Sequence, residues 1–227
     1  MNKRNLIKIF SICFLTIAFS GFKLPSIGGG GDSGGADWKS IAGDFKGAFS
    51  KINNGLVLVL KGIHESNLAI NIKETSAQQL INEGEKLNSG SKVDVSFAER
   101  SAKFIEESAV KQAKKIENSK LTAEEKAALA KAAKNYFSGA INAVPGYIQF
   151  FTTFQKAQKA GSPKPMDLVG AAKDIPDIIS NAPSMFKMVP TTFNAIKTYR
   201  KSLEAADIPL PSNAKGMDEK VAGMPSF

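Results

Sequence analysis

Cysteine, histidine and tryptophan each occur once in these 227 residues, as Cys13, His64 and Trp38. A lone cysteine excludes an internal disulfide framework. A lone histidine cannot build a zinc site without carboxylate partners at ligand spacing, and on a helix the adjacent Glu65 points elsewhere. His64 therefore reads as a structural or surface residue. The carboxylate pairs Glu106-Glu107 and Glu124-Glu125 are adjacent in sequence, and neighbouring helical residues diverge by about 100°. Neither pair forms a shared proton site by itself. No basic cluster stands out either: the densest spot, Lys111, Lys114 and Lys115, has Glu106, Glu107 and Glu117 beside it. Nucleic acid is not an expected partner, because that function needs a one-sided basic patch.

Two motifs match by letter and fail by context. Gly29, Gly31 and Gly34 fit the spacing of a phosphate-cradling loop, but a run reading GGGGDSGG makes such a match nearly automatic. A nucleotide-binding unit or a Walker lysine would have to follow, and neither does. Gly31-Asp32-Ser33-Gly34-Gly35 fits Gly-x-Ser-x-Gly, yet glycines stand where the nucleophile elbow needs a strand. No histidine precedes Ser33, as a triad ordered histidine, aspartate, serine would require. The chain is read as noncatalytic, with no catalytic residue, cofactor or metal expected.

The first residues have the three parts of a secretion signal. Lys3, Arg4 and Lys8 give a positive start, Ile9 to Phe19 is an uncharged apolar run, and Ala18-Phe19-Ser20 places small residues before Gly21. An uncleaved anchor is the competing reading. It would need roughly 20 apolar residues to span the bilayer core, and even extended to Phe22 this run is shorter. Cleavage after residue 20 would remove Cys13 and three cations, taking the formal charge from +9 to +6. A mildly basic charge is compatible with anionic membrane surfaces or cell-wall polymers, although a generic solubilising charge spread over helix faces is the plainer reading. The expected compartment is periplasmic or extracellular, peripheral to a membrane.

With 43% hydrophobic residues the chain has enough to build a core. Residues 21–36 read as a flexible Gly-rich linker, 37–206 as a single helical-bundle domain, and 207–227 as an extended or disordered tail. Trp38, Ile41, Phe45, Phe49, Ile52, Leu56, Val59 and Ile63 recur at steps of three and four, one helix face, with Asp37 as N-cap. Within that stretch residues 56–72 could instead form a β-hairpin, because Gly55 to Leu60 resembles a buried strand and Leu68, Ile70 and Ile72 alternate. The unbroken period favours helix. Further helices are expected over Ser76 to Leu87 and about Val93 to Asn118. A fourth starts at the capping box Thr122/Glu125, is kinked or broken at Pro145-Gly146, and ends near Lys159. Pro176, Pro183 and Pro190, seven apart, suggest short helical pieces followed by a final helix from Pro190 to about Ala205. The expected fold is all-α: a bundle of five to six helices with a proline-kinked fourth helix.

The most unusual stretch lies between Lys134 and Lys156, uncharged throughout, with Tyr136, Phe137, Tyr147, Phe150, Phe151 and Phe154. A central helix buried on most sides is the plain reading; Asn142, Pro145, Gly146 and Gln149 weaken a spanning one. Together with Met185 and Phe186, these aromatics are the candidate contacts for an apolar ligand or a membrane. Two functions are expected from this pattern. One is an exported, noncatalytic envelope protein that binds a lipid, another apolar or amphipathic ligand, or a protein partner. The other is a membrane-active helical protein that inserts residues 136–154.

Overall fold

The computed structural model describes residues 37–89, 93–167, 170–214, 216, 217 and 219. The expected signal peptide, its cleavage point, the Gly-rich linker and Ser33 lie outside the described residues. The architecture is all-helical, with five α-helices among the described residues and no strand: α1 (Trp38–Ala69), α2 (Ser76–Ser89), α3 (Val95–Glu117), α4 (Ala123–Ala160) and α5 (Ile175–Ala205). Three 3-10 turns, Pro165–Asp167, Gly170–Asp174 and Ser212–Ala214, occupy the connection before α5 and the segment after it.

Local chemistry sets the helix starts. The Asp37 carboxylate accepts from the Ser40 amide at 3.0 Å, and the Asp94 carboxylate accepts from the Phe97 amide at 3.1 Å. At α4 the capping box closes in both directions: the Glu125 amide donates to Thr122 Oγ1 at 3.2 Å and the Thr122 amide to Glu125 Oε2 at 2.8 Å. Each bond satisfies a donor that the first turn leaves without an intrahelical partner. Two helices end on a non-glycine residue in the left-handed region, Asn71 (φ 56°) after α1 and Asp207 (φ 56°) after α5. The next amide then reaches back five residues, Ile72 to the Asn67 carbonyl at 2.8 Å and Ile208 to the Leu203 carbonyl at 2.9 Å. That is the Schellman closure, and short polar side chains tolerate its φ.

Residues 56–69 belong to α1, and no hairpin forms there. The run Leu56-Val57-Leu58-Val59-Leu60 looks strand-like because α1 packs against α2, α3 and α4 at once. A helix covered on most sides loses its polar stripe. Leu56, Val57, Val59 and Leu60 are all buried.

Two corrections concern proline. The expected short pieces before Pro190 do not occur: α5 is one helix from Ile175 to Ala205, with Pro183 and Pro190 inside it. Likewise α4 is not broken at Pro145 but continues from Ala123 to Ala160. All of these prolines, and Pro176, are exposed. Seven residues are close to two helical turns, so the spacing that suggested interruptions keeps Pro176, Pro183 and Pro190 on one solvent-facing stripe. There the proline rings meet solvent and not a neighbouring helix, and Pro176, in the first turn, costs α5 no intrahelical bond.

Helix α4 runs antiparallel to α1 at very close range. An alanine β-carbon at Gly139 would come within 2.5 Å of the Gly55 carbonyl oxygen and the Val59 nitrogen. One at Gly62 would meet the Tyr136 backbone at 2.6 Å, and one at Gly146 the Ala48 carbonyl at 2.8 Å. Ala48, Gly55 and Gly62 recur every seventh residue on α1, as Gly139 and Gly146 do on α4. Backbone therefore packs on backbone along the whole contact. Polar ties flank it: Lys156 with Asp44 at 2.9 Å, Lys51 with Gln149 at 2.7 Å, and Asn135 with Glu65 at 3.0 Å. Helix α5 packs on α3 and α4. After it, Ile208, Ala214 and Met217 are buried, and Asn213 Nδ2 donates to Ser138 Oγ on α4 at 2.8 Å.

Candidate functional site

The two stretches singled out in the sequence, 136–154 and Met185-Phe186, meet where α4 lies against α5. Phe186 is the hub at one end, with ring centroids 5.7 Å from Phe150, 5.6 Å from Phe151 and 5.2 Å from Phe154, all close to perpendicular. Midway, Tyr147 meets Phe193 edge-on at 6.3 Å. At the far end Tyr136 stacks on Tyr199 at 4.4 Å with 18° between planes, and Phe137 lies 6.5 Å from Tyr199. Edge-to-face and offset arrangements are the favourable ones, each worth about 0.5–1.5 kcal/mol beyond the buried area. Phe150 also touches Phe45 and Phe49 of α1, both at 5.4 Å, which ties the seam to the glycine-packed helix pair.

Six of the eight candidate residues are buried: Tyr136, Phe137, Tyr147, Phe150, Phe154 and Met185. Phe151 and Phe186 are half-buried at the outer edge. The sequence reading missed Phe193 and Tyr199, which complete the seam from α5. Phe186 and Phe193, seven residues apart, share one stripe of a helix, whereas Tyr199 lies about a third of a turn round from them, so spacing alone did not group it with the seam.

Below the aromatic end a polar layer crosses the core. Tyr199 and Ser66 share a hydrogen bond of 2.6 Å between their hydroxyl oxygens, and Ser66 Oγ donates to the Gly62 carbonyl at 2.7 Å. Gln112 of α3 donates through Nε2 to Asn67 Oδ1 at 2.8 Å and to the Ile63 carbonyl at 3.2 Å. These bonds hold α5 and α3 to α1. The Tyr136 hydroxyl is buried without a hydrogen-bond partner, an arrangement that costs stability. The layer ties α1, α3 and α5 together in register.

Burial pushes all three tyrosines of the chain above their ordinary value of 10.0. For Tyr136 burial is reinforced by Tyr199; for Tyr199 and Tyr147 it outweighs the opposing pull of Ser66 and Thr192. A phenol whose folded pKa is raised keeps its proton after the unfolded chain has lost it. Stability is therefore whole below pH 10 and falls as pH rises beyond it, by about 1.4 kcal/mol per pH unit for each tyrosine. The expected result is that tyrosinate absorbance and loss of helical circular dichroism appear together in one alkaline transition. Tyrosinate rising near its ordinary pKa while the helices persist would contradict this burial.

Other sequence candidates stay apart from the seam. Glu106 and Glu107 are exposed on α3. Glu124 is held below the usual carboxylate range by its own backbone amide and by Thr122, a helix-start effect. His64 is half-buried on α1. Among the described residues no group of three His, Cys, Asp or Glu side chains could hold a metal ion, and no helix is long and apolar enough to cross a membrane. A groove of ≈ 390 Å³ lies between α2 and α3, with the Arg100–Glu83 ion pair in its wall. Another of ≈ 510 Å³ lies where the ends of α3 and α5 meet the start of α4. Compared with protein-family models, with curated proteins and with solved structures, the chain matches none.

Proposed function

We propose that this chain is an exported, noncatalytic helical protein of the cell envelope that takes up an apolar or amphipathic ligand along the α4–α5 seam. In this reading residues 1–20 are a cleaved signal peptide, and Pro145 allows α4 to flex at the middle of the seam. The observation that carries the proposal is the make-up of that contact. Rings from α4 face rings from α5 along its length, whereas α4 meets α1 at backbone distance, with one ion pair and amide hydrogen bonds beside the contact. Parting α4 from α5 breaks dispersion contacts that an apolar chain can replace.

The test uses Trp38, the only tryptophan and a buried one at the Phe154 end of α1. Titrating the lipid-stripped protein with the fluorescent fatty acid cis-parinaric acid is expected to give saturable energy transfer from Trp38, weakened by Phe186→Glu. Absence of saturable transfer, or transfer indifferent to Phe186→Glu, would count against the proposal.

The alternative, insertion of residues 136–154 into a bilayer, draws on the uncharged run between Lys134 and Lys156. As a helix it would be roughly 30 Å long, close to the thickness of the hydrocarbon core. Insertion would also have to break the close α1–α4 contact, which makes it the second reading. Vesicle leakage with protease protection of that segment would favour it over ligand uptake.

A further inference from the structure

We infer that the α4–α5 side of the bundle is a docking surface for an anionic phospholipid membrane. The net positive charge of the chain is not evenly spread. From Lys126 to Ala160, α4 carries Lys126, Lys131, Lys134, Lys156 and Lys159 and no acidic residue; from Ile178 to Leu203, α5 carries Lys187, Lys197, Arg200 and Lys201 and no acidic residue. The acids of these two helices stand at their ends, Glu124 and Glu125 on α4 and Asp177 and Glu204 on α5, while Glu85 on α2 and Glu99, Glu106 and Glu107 on α3 are also exposed. Two of the cations are matched, Lys156 by Asp44 and Arg200 by Glu204. Lys131, Lys134, Lys159, Lys187, Lys197 and Lys201 are exposed. Because α4 and α5 are neighbours, the two acid-free stretches adjoin, and their fields add.

The surface between these lysines decides which polyanion fits. Ile141, Ile148 and Phe151 of α4 and Ile179 and Phe186 of α5 are half-buried, and the exposed positions among them, Asn142, Pro145, Thr152, Pro183 and Pro190, are uncharged. A soluble acidic polymer would leave those apolar edges wet. A bilayer interface accepts them at headgroup depth while its phosphates meet the lysines, the pattern of a peripheral membrane surface. This docking does not depend on a ligand entering the seam.

The experiment is sedimentation of the full chain with vesicles of phosphatidylcholine alone or mixed with phosphatidylglycerol. Each lysine near an anionic surface contributes about fivefold in affinity. Binding to the mixed vesicles is expected to be at least about tenfold tighter than to phosphatidylcholine and to weaken with salt. Lys131→Gln, Lys134→Gln, Lys187→Gln and Lys197→Gln together should weaken it at least about thirtyfold, and Lys103→Gln with Lys111→Gln on α3 by less than about twofold. Equal losses for the two variant sets, equal binding to both vesicles, or binding to dextran sulfate with vesicles untouched would each overturn the inference. A footprint on the wild-type chain guards against a variant that fails to fold. Mixed vesicles should shield Lys187 and Lys197 from acetylation and leave Lys103 and Lys111 reactive; uniform reactivity overturns the docking. Parinaric acid uptake without vesicles reads the ligand proposal separately.

Discussion

Gly139→Ala is expected to destabilise the protein by about 2 kcal/mol, whereas Gly43→Ala should stabilise it by up to about 1 kcal/mol. Both glycines lie inside α-helices, where alanine is intrinsically better by about 1 kcal/mol. What separates them is the neighbourhood. A β-carbon at Gly43 meets nothing within 4 Å, so only the propensity gain operates. At Gly139 it falls 2.5 Å from the Gly55 carbonyl oxygen and the Val59 nitrogen. Those atoms are helix backbone and cannot rotate aside, so α1 and α4 must move apart along a contact in which Gly62 and Gly146 are equally close. Overpacking of this kind costs about 1–3 kcal/mol, and rigid neighbours on both sides put it at the upper end, against which the propensity gain is subtracted. Urea denaturation followed by circular dichroism would measure both variants. A neutral Gly139→Ala would mean that the helices separate freely and that the backbone contact is not what joins them.

That contact shows where sequence reading reached and where it stopped. The face of α1 was legible from Trp38 to Ile63 because apolar residues at helical spacing have a single physical explanation. The start of α4 was legible because Thr122 and Glu125 do local chemistry that needs no tertiary context. The glycines were not, although Ala48, Gly55 and Gly62 are evenly spaced: a missing side chain carries no hydrophobic signal, and its meaning depends on what approaches it. Pro183 and Pro190 misled for a related reason. Their cost depends on what surrounds them, and only the packed bundle shows that both prolines face solvent. For the candidate site, the aromatic run on α4 was visible, but Phe193 and Tyr199 become partners only once α5 is known to lie alongside. The charge asymmetry was hidden by averaging. Lysines on α4 and α5 look like ordinary solvated faces until the acid-free middle stretches of the two helices are placed side by side.

The second large effect is expected at Phe150, the ring that joins the seam to the helix pair. Phe150→Ala should cost about 4 kcal/mol, and Phe151→Ala about 1 kcal/mol or less, in the same denaturation measurement. Phe150 is 1% exposed and contacts Phe45, Phe49 and Phe186, so its removal loses the transfer energy of the ring and three ring contacts. A gap lined by helices that are themselves locked at backbone distance cannot close well, and poor collapse places the cost in the range of about 3–5 kcal/mol. Phe151, one residue on, has a half-buried ring in contact with Phe186 and so removes less area from water. The contrast bears on function. The α1 backbone beside the gap is held by the glycine contact, so a loss at Phe150 well below about 3 kcal/mol would mean that the surrounding rings, Phe186 of α5 among them, move inward. A seam whose α5 wall moves that readily around a missing ring would also part for an incoming acyl chain. A full-sized loss means that ligand entry must begin at the edge formed by Phe151 and Phe186, where the rings already meet solvent.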